Sequence, residues 1–263
     1  MGDIRDAALG YLLRPVYSLY AWRLEKQISA KQMPSHIGFI LDGNRRWARS
    51  RNVPSALGHR MGYHKAKEVL DWCWKQKINT VTVYALSLDN IQKRSPSEVA
   101  GLISLVEQAV QELTEDERIR KEVRVKIIGS RDVLPPSLLE KVVQLENLTA
   151  SNNMFNLFMA VGYSGRAEIV DAIKKIVREA REGKLTENEL NEQTVSAYLY
   201  TAGAEDPDLI LRTGGETRLS DFLPWQAIYS EFVFIDVPWP EFRFIDFLRA
   251  IRTYQQKERR KGG

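Results

Sequence analysis

Cysteine is almost missing from the sequence, since Cys73 is the one cysteine among 263 residues. This excludes an intrachain disulfide and a cysteine-based zinc site, and it is typical of proteins that work in a reducing cytosol. Histidine is also scarce: His36, His59 and His64 are too dispersed to make a zinc site. The sequence therefore gives no reason to expect zinc chemistry or structural disulfides.

Long hydrophobic runs are absent as well. The longest uncharged stretch, residues 147–165, contains several asparagines, among them Asn152 and Asn156, so it is no candidate for a membrane span. At the N-terminus, Asp3 and Asp6 precede the apolar part, and no small-residue cleavage pattern follows, so a secretory signal is not expected. We therefore predict a cytoplasmic protein.

Excess charge of either sign is small. Lys and Arg number 38 against 34 Asp and Glu, which gives a net charge of +4. This mild excess suits phosphorylated ligands or an anionic membrane face, but it does not predict a nucleic-acid partner. The hydrophobic and charged fractions, 44% and 27%, exclude a disordered or collagen-like chain and indicate an ordinary globular protein.

The rest of the chain alternates short β-branched runs with helical periods. The clearest helices are Pro96–Leu113 and Arg166–Ala180, each with an apolar stripe at i, i+3, i+4 spacing. This alternation predicts an α/β fold with a mostly parallel central sheet flanked by helices, and ligands at the carboxyl ends of its strands. The predicted strands are His36–Leu41, Thr80–Leu86, Val123–Ile128, Phe155–Val161, Leu209–Arg212 and Phe232–Asp236.

The N-terminal segment, residues 1–33, differs from the domain that we predict over residues 34–263. Apolar residues recur there at helical spacing around Pro15, together with aromatic residues such as Trp22 and basic residues such as Lys26. This composition predicts an amphipathic segment that lies on a membrane surface. A helix that packs on its own domain or on a second subunit explains the pattern equally well.

The first candidate site is the segment Asp42-Gly43-Asn44-Arg45-Arg46, which ends an apolar strand and begins a helix. Cations at a helix N-terminus are unfavourable unless an anion lies between them, so the pattern predicts a bound phosphate. Asp42 at the strand end is placed to hold a hard cation such as Mg²⁺ together with that phosphate. The alternative is that Asp42 is a helix cap and the arginines form a solvated face.

The second candidate site follows another strand, where Arg212 leads into Gly214 and Gly215 and then into Arg218 and Ser220. The glycines permit a tight turn, and the arginine forks and the hydroxyl can bind an anion. Neither site matches a Walker loop or a dinucleotide fingerprint. Two phosphate-seeking turns indicate a reaction between two phosphorylated substrates, although a Gly-Gly turn is often only a turn.

A third group comprises Ser87 and Asn90, at the end of a strand, and the basic loop that contains Lys93 and Arg94. Small polar groups followed by a basic loop are typical of an active-site lid, but also of an ordinary connection between a strand and a helix. His59, which follows Gly58, is better suited to a ligand or phosphate than to core packing.

These residues belong to five blocks that occur in order along the chain, at residues 42–47, 58–59, 84–90, 208–220 and 258–263. Together they resemble the cis-prenyltransferase family over residues 34–263. The resemblance implies a homodimer with a hydrophobic tunnel that condenses an allylic isoprenoid diphosphate with isopentenyl diphosphate, with Mg²⁺ and with release of pyrophosphate. Asp42, Asn90 and His59 would be catalytic, and Asp42 and Glu231 would bind Mg²⁺.

The resemblance also assigns the two substrate sites. The allylic diphosphate would be bound by Gly43, Asn44, Arg45, Arg46, Trp47, His59, Ser87 and Arg94. Isopentenyl diphosphate would be bound by Arg212, Arg218, Ser220, Arg260 and Gly262.

The chain departs from the family pattern at Ser55, Leu86, Asp89 and Ile91, and its lid loop has one additional residue. Either Lys93 or Arg94 can therefore take the basic role in the lid. Two other functions stay open: prenyl transfer to a hydroxyl acceptor without a diphosphate, and a catalytically silent, membrane-associated partner subunit.

Overall fold

The computed structural model describes residues 17–257, and its centre is a six-stranded sheet in which every neighbouring pair of strands is parallel. The strand order is β3-β4-β2-β1-β5-β6. The predicted α/β fold is confirmed, with strand ends that differ from the prediction by at most two residues. The strands are β1 His36–Ile40, β2 Thr80–Ser87, β3 Val123–Ile128, β4 Phe155–Tyr163, β5 Leu209–Thr213 and β6 Glu231–Ile235.

Helices connect the strands and cover both faces of the sheet. The first helix, α1, is described over residues 17–29. The other α-helices are α2 Asn44–Ser50, α3 Ser55–Lys75, α4 Leu88–Lys93, α5 Pro96–Glu115, α6 Glu117–Glu122, α7 Pro136–Thr149, α8 Gly165–Arg181, α9 Glu192–Tyr198 and α10 Phe244–Gln256.

The core lies in two layers because successive side chains of a strand point to opposite faces of the sheet. From β1, Ile37 and Phe39 enter the larger layer, and Ile40 enters the smaller one together with Ile210 and Phe222. All five residues are at most 6% exposed. A sheet that is buried on both faces explains why its strands are apolar nearly throughout.

The order of the strands reverses at β1, because later strands are added to the sheet on both sides of it. After β1 the next strand, β2, forms on one side, and β5 later forms on the other side of β1. In open α/β sheets the crevice at such a reversal, outside the carboxyl ends of the strands, is the usual place for a ligand. The ends of β1 and β5 are therefore where a site is expected.

The helix α5 follows the sequence prediction closely. Pro96 occupies its first turn, and the Ser95 hydroxyl accepts a hydrogen bond from the Glu98 amide at 3.3 Å. Its apolar stripe buries Leu102, Val106 and Val110. The helix was predicted to end at Leu113 and continues for two more residues.

The helix α8 differs from what its stripe indicates. Ile176 is buried, but Val170, Ile173 and Val177 are 49%, 51% and 44% exposed. Its best-covered side instead carries the small residue Ala172 and the polar residue Glu168. The predicted helix is present, but three of the five residues of its apolar stripe do not face the core.

The described part of α1 packs on the domain itself. Leu24 and Ile28 are buried in the larger core layer, and Gln255 of α10 donates a hydrogen bond to the Ile28 carbonyl at 2.9 Å. Leu19 and Trp22 stay exposed at 66% and 53%. Within residues 17–257 we find no helix that is both long and apolar enough to cross a bilayer.

Candidate functional site

An aspartate and an arginine meet at the carboxyl ends of β1 and β5. The register places Ile40 beside Arg212, and Asp42 follows two residues after Ile40. The Arg212 Nη2 atom donates to Asp42 Oδ2 at 2.8 Å, and the Gly43 amide donates to Asp42 Oδ1 at 2.6 Å. Asp42 caps no helix, because Gly43 is the residue before α2 and no side chain caps that helix. The interpretation of Asp42 as a helix cap is therefore wrong.

The surroundings of Asp42 favour its charged form. Burial raises the pKa of its carboxyl, but the hydrogen bond and the charge of Arg212 outweigh burial, with help from the Gly43 amide and Arg46, so that the pKa lies below its ordinary value. The carboxyl is about one third exposed. It is therefore an anion at neutral pH with a side that a ligand can reach.

Arg212 is the most thoroughly fixed cation of the site. It is 4% exposed, and its Nη1 atom donates to Ser220 Oγ at 2.6 Å and to the Arg218 carbonyl. Its Nε atom is buried and has no hydrogen-bond partner among the described residues. Because a buried unpaired donor is costly, this N–H is available to an acceptor that enters the site.

The turn after β5 brings these groups together through its backbone. Gly214 has a φ of +83°, and a Cβ there would lie 2.7 Å from Arg46 Nη2 and 3.0 Å from the Asp42 carbonyl. Ser220 has a φ of +53°, in the left-handed region. The turn therefore requires glycine at position 214 in order to let the two candidate sites approach each other.

The start of α2 contributes the second cation beside Asp42. Arg46 Nη2 lies 3.4 Å from Asp42 Oδ1, and the Arg46 and Arg45 side chains are exposed. Asn44 is half-buried, and its side-chain oxygen is buried without a hydrogen-bond partner within residues 17–257. Trp47 is half-buried, and Arg51 stacks over its ring at 4.7 Å. Asp42, Arg46 and Arg212 thus form one charged cluster.

A second charged group lies where α3 meets α5. His59 Nε2 is 3.1 Å from Glu98 Oε1, and Arg94 Nη1 donates to the same carboxylate oxygen at 2.9 Å. Burial lowers the pKa of His59, and Arg94 and Arg45 lower it further, while Glu98 opposes them. His59 is therefore largely neutral at neutral pH, and Glu98 balances the charge of Arg94.

The lid residues surround α4. The Ser87 hydroxyl accepts from the Asn90 amide at 3.0 Å and so caps this short helix. Lys93 forms an exposed ion pair with Asp89, whereas Arg94 is mostly buried beside His59. The structure therefore places Arg94, rather than Lys93, next to the candidate site.

An apolar cavity of about 290 Å³ opens beside this cluster. Asn44 and His59 lie at the end of the cavity near Asp42, and Trp74 and Ile119 lie at the far end. Its walls come from α3, from α5 and from β2 and β4, with Leu102 and Val106 of the α5 stripe among them. An apolar cavity below a charged cluster suits a ligand that has an anionic head and a hydrocarbon tail.

Glu231 does not lie beside Asp42. Glu231 begins β6 and pairs with Leu209, whereas Arg212, which contacts Asp42, is three residues further along β5. Three residues of a strand span about 10 Å, so the two carboxylates lie at opposite ends of the strands. The Glu231 carboxylate accepts a hydrogen bond from Lys257 instead.

Arg218 is exposed and pairs with Glu216 at 2.8 Å, so its carbonyl rather than its side chain contacts Arg212. Arg260 and Gly262 lie outside the described residues.

Sequence reasoning missed Glu98 and Thr213. Glu98 joins His59 to Arg94, and the Thr213 hydroxyl donates to the Asp42 carbonyl at 2.8 Å. The one sequence signal for Glu98 was its place in the first turn of α5, which also has a structural explanation as a favourable charge at a helix N-terminus.

Magnesium fits this site only in one way. No group of three or more His, Cys, Asp or Glu side chains that could hold a metal occurs within residues 17–257. Mg²⁺, however, is usually held by one or two carboxylates together with substrate phosphates and water. Asp42 beside Arg46 and Arg212 suits an ion that is shared with a bound diphosphate, rather than an ion held by the protein alone.

Comparison with known proteins gives a consistent result. The model of the undecaprenyl diphosphate synthase family matches residues 40–262. An isoprenyl transferase from Thermus thermophilus is 48% identical over 95% of this chain and 97% of its own length. A tritrans,polycis-undecaprenyl-diphosphate synthase (geranylgeranyl-diphosphate specific) from Thermococcus kodakarensis is 44% identical over 95% of both chains.

A solved structure agrees with these relatives. The lavandulyl diphosphate synthase of Lavandula x intermedia, crystallised with dimethylallyl diphosphate, superposes with a TM-score of 0.81 at 32% identity. The match covers 86% of this chain and 97% of that one. The similarity of fold therefore extends over most of the chain.

Proposed function

The chain belongs to the undecaprenyl diphosphate synthase family, as its resemblance to the cis-prenyltransferases predicted, and from this premise we propose that it elongates a prenyl chain. The reaction condenses an allylic isoprenoid diphosphate with isopentenyl diphosphate and releases pyrophosphate. The observation that carries the proposal is the charged cluster of Asp42, Arg46 and Arg212 at the mouth of an apolar cavity.

The allylic substrate would place its diphosphate beside Arg45 and Arg46 and its hydrocarbon chain in the cavity. When the bond from carbon to the diphosphate oxygen breaks, the electron pair stays with the leaving group. The exposed guanidinium of Arg46, next to Asp42, stabilises the charge that develops there. His59 and Arg94 approach the same region from the lid side.

Isopentenyl diphosphate would lie against the turn after β5, bound by Arg212, Ser220 and the exposed Arg218. Its double bond attacks the allylic carbon, a carbon–carbon bond forms, and a proton leaves the isopentenyl unit. Ser87 at the end of β2 and Asn90 in the following helix α4 would assist the removal of that proton, and the released pyrophosphate is a base that the reaction itself supplies. No covalent enzyme intermediate is needed.

Asp42 would hold Mg²⁺ together with a diphosphate, because its carboxyl is charged at neutral pH and about one third exposed. When bound, the ion would neutralise phosphate charge and so assist departure of the leaving group. Glu231 is too distant within one chain to share this ion with Asp42.

We assign the catalytic unit to residues 34–263 and propose that it works as a homodimer. β6 is the edge strand of the sheet, and Phe234 on it is 38% exposed. Directly before it, Ile228 and Tyr229 are 72% and 76% exposed. A second copy of this chain would cover an exposed apolar edge of this kind. Light scattering should give a dimer for the full chain and a monomer for Tyr229→Glu; a monomeric wild type would contradict the proposal.

We also propose a peripheral contact of α1 with the inner face of the membrane. Leu19 and Trp22 are exposed, and Lys26, 4.1 Å from the Trp22 ring, adds positive charge beside them. An exposed apolar surface next to positive charge suits an anionic lipid face. Deleting the segment would remove Leu24 and Ile28 from the core, so Leu19→Glu with Trp22→Glu is the better variant. It should sediment less with phosphatidylglycerol vesicles than wild type; equal sedimentation would contradict the contact.

The central experiment incubates the full chain with Mg²⁺, labelled isopentenyl diphosphate and farnesyl or geranylgeranyl diphosphate. Label that passes into organic solvent supports prenyl transfer, and EDTA should prevent it. Arg212→Ala should impair the use of isopentenyl diphosphate. If Arg212→Ala keeps activity and an alcohol without a diphosphate is the better acceptor, the reaction is transfer to another hydroxyl; no transfer at all would favour a silent partner subunit.

A further inference from the structure

The cavity is apolar on three sides, but its outer side is a seam of polar residues between α3 and α5. From α3 it is lined by Tyr63, Lys67 and Asp71, which follow one another at intervals of four residues. Opposite them lie Glu112 of α5 and Asp116, the residue that directly follows α5. Residues four apart lie on one face of a helix, so two polar rows face each other along the cavity. Core packing does not explain such rows.

One carboxylate joins the two helices across this seam. Glu112 accepts hydrogen bonds from the Lys67 ammonium and from Gln108, the latter at 2.8 Å, and the Tyr63 hydroxyl also bonds to it. We call Tyr63, Lys67 and Glu112 the α3–α5 clasp. Hydrogen bonds from Lys67 and then from Tyr63 lower the pKa of Glu112 to about 2. The clasp is therefore closed throughout the physiological pH range.

The Tyr63 hydroxyl stays protonated, because burial and the adjacent Glu112 both raise its pKa above the ordinary value. It must therefore donate to the carboxylate, and this bond fixes the phenol ring in the wall of the cavity. The Lys67 ammonium lies 5.7 Å from the centre of the same ring. The three side chains thus restrain one another.

The size of the cavity makes this restraint relevant to a growing chain. Its volume of about 290 Å³ is at the lower end for a site that takes a drug-sized ligand. Each added isoprene unit needs more room, and the sheet wall with Val83 and Leu157 belongs to paired, buried strands. The walls outside the sheet are the helices α3 and α5, and the clasp ties these two helices together.

We propose that the α3–α5 clasp limits how far α5 can move from α3, and that Tyr63 and Glu112 thereby determine the longest prenyl chain that the cavity accepts. This inference rests on the proposed elongation function. Lys67 is 54% and Glu112 34% exposed, so their ion pair is weak, and the clasp is a limit that chain growth can overcome rather than a fixed wall.

The test measures product length, not only activity. The full chain and its variants receive Mg²⁺, labelled isopentenyl diphosphate and geranylgeranyl diphosphate, and the products are dephosphorylated and separated by length. Glu112→Ala, which removes both bonds of the clasp between α3 and α5, should shift the most abundant product to longer chains by one or more isoprene units. Tyr63→Phe and Lys67→Met should shift it less, and Lys67→Arg should preserve the wild-type product.

The matched control is Glu107→Ala. Glu107 is also on α5 and also forms an ion pair with another helix, at 2.6 Å from Lys141 of α7, but neither residue lines the cavity. The substitution Glu107→Ala should therefore leave the distribution of product lengths unchanged. A loss of stability alone would lower the yield of all lengths together, which thermal unfolding of each variant would reveal.

The outcomes separate the two proposals. If the wild type forms no prenyl product, the elongation function is wrong. If the wild type elongates but Glu112→Ala gives the same product lengths, or Glu107→Ala gives the same shift, the clasp does not determine length. If Glu112→Ala does not fold, Tyr63→Phe and Lys67→Met decide, and unchanged lengths in both overturn the inference.

Discussion

Arg212 and Arg94 differ in how the protein holds them, although both reach the candidate site and both have a buried Nε atom with no hydrogen-bond partner in the described part of the chain. Arg212 ends a central strand and donates to Asp42, Ser220 and a backbone carbonyl. Arg94 lies between two helices, and its partners are the side chains of Glu98 and His59. Arg212 is therefore held by a strand and a backbone carbonyl as well as by side chains, whereas the partners of Arg94 are side chains of neighbouring helices.

The two arginines are therefore expected to bind an incoming anion in different ways. Around Arg212 the charges and hydrogen bonds are in place before a substrate enters, which is how electrostatic catalysis avoids reorganisation in the transition state. Around Arg94 the charge is neutralised by Glu98, and an entering diphosphate can replace that carboxylate. We call Asp42 and Arg212 with their partners the fixed half of the site, and His59, Arg94 and Glu98 the lid half. We expect changes in the fixed half to affect turnover and changes in the lid half to affect substrate affinity.

The largest effect is expected in the fixed half. Asp42→Ala removes the carboxylate that Arg212 and the Gly43 amide orient, and should lower kcat by at least ~10²-fold. The measurement is steady-state prenyl transfer, with circular dichroism to show that the variant is folded. Glu117→Gln, which alters an exposed ion pair with Lys121, is the control and should keep wild-type turnover. An unchanged kcat in Asp42→Ala would remove Asp42 from the mechanism.

The fixed half also depends on β1, whose other end carries the fully buried His36. Its Nδ1–H donates to the Glu205 carbonyl at 2.7 Å, so its Nε2 accepts from the Thr82 hydroxyl at 2.8 Å. Burial lowers the pKa of His36 to about 4. The unfolded chain therefore binds a proton more readily, and stability is lost as the pH falls from about 6.5 towards 4.

The expected loss from His36 is about 3 kcal/mol across that window, at 1.36 kcal/mol for each unit of pKa. Urea unfolding at pH 7 and at about pH 4.5 should show it. His36→Gln, which cannot titrate, should lose less stability than wild type over the same interval. Equal losses in the two proteins would show that other groups cause the acid sensitivity.

The sequence predicted the fixed half because its residues stand at strand ends. Asp42 and Arg212 each follow an apolar run, and the carboxyl ends of parallel strands share one edge of a sheet. The same rule argues against pairing Asp42 with Glu231, since Glu231 is the first residue of its strand and so lies at the amino ends of the strands. The resemblance placed both in one metal site, and the strand positions separate them within this chain.

The lid half and the helix surfaces were less predictable. The contact of His59 with Glu98 depends on how α3 packs on α5, and spacing along the chain contains no information on that packing. The apolar stripes of α5 and α8 have the same periodicity, yet Val106 is buried and Ile173 is half exposed. Periodicity identifies the apolar face of a helix, but it does not show what covers that face.

A moderate effect is expected from Ser55→Arg in the lid half. Ser55 is the exposed first residue of α3, the helix that carries His59, and an arginine there adds a cation near the allylic site. A gain of about 1 kcal/mol in binding would lower the KM for the allylic diphosphate ~5-fold, with kcat little changed. Ser55→Gln adds similar bulk without charge and should not lower KM. The gain should shrink as salt is raised.

The smallest effect is expected from Glu98→Gln, which keeps the shape of the side chain but frees Arg94 and His59 from its charge. Arg94 would then face the incoming diphosphate without a competing carboxylate, and the KM for the allylic substrate should fall ~2-fold, since partly exposed ion pairs contribute about 0.2–1 kcal/mol. The pKa of His59 should fall further below its ordinary value, because Glu98 raises it. In an Arg94→Ala background the same substitution should leave KM unchanged, because the two residues then no longer interact. If Glu98→Gln raises KM, or lowers it equally without Arg94, the carboxylate does not compete with the substrate, and the two arginines of the site are held in the same way after all.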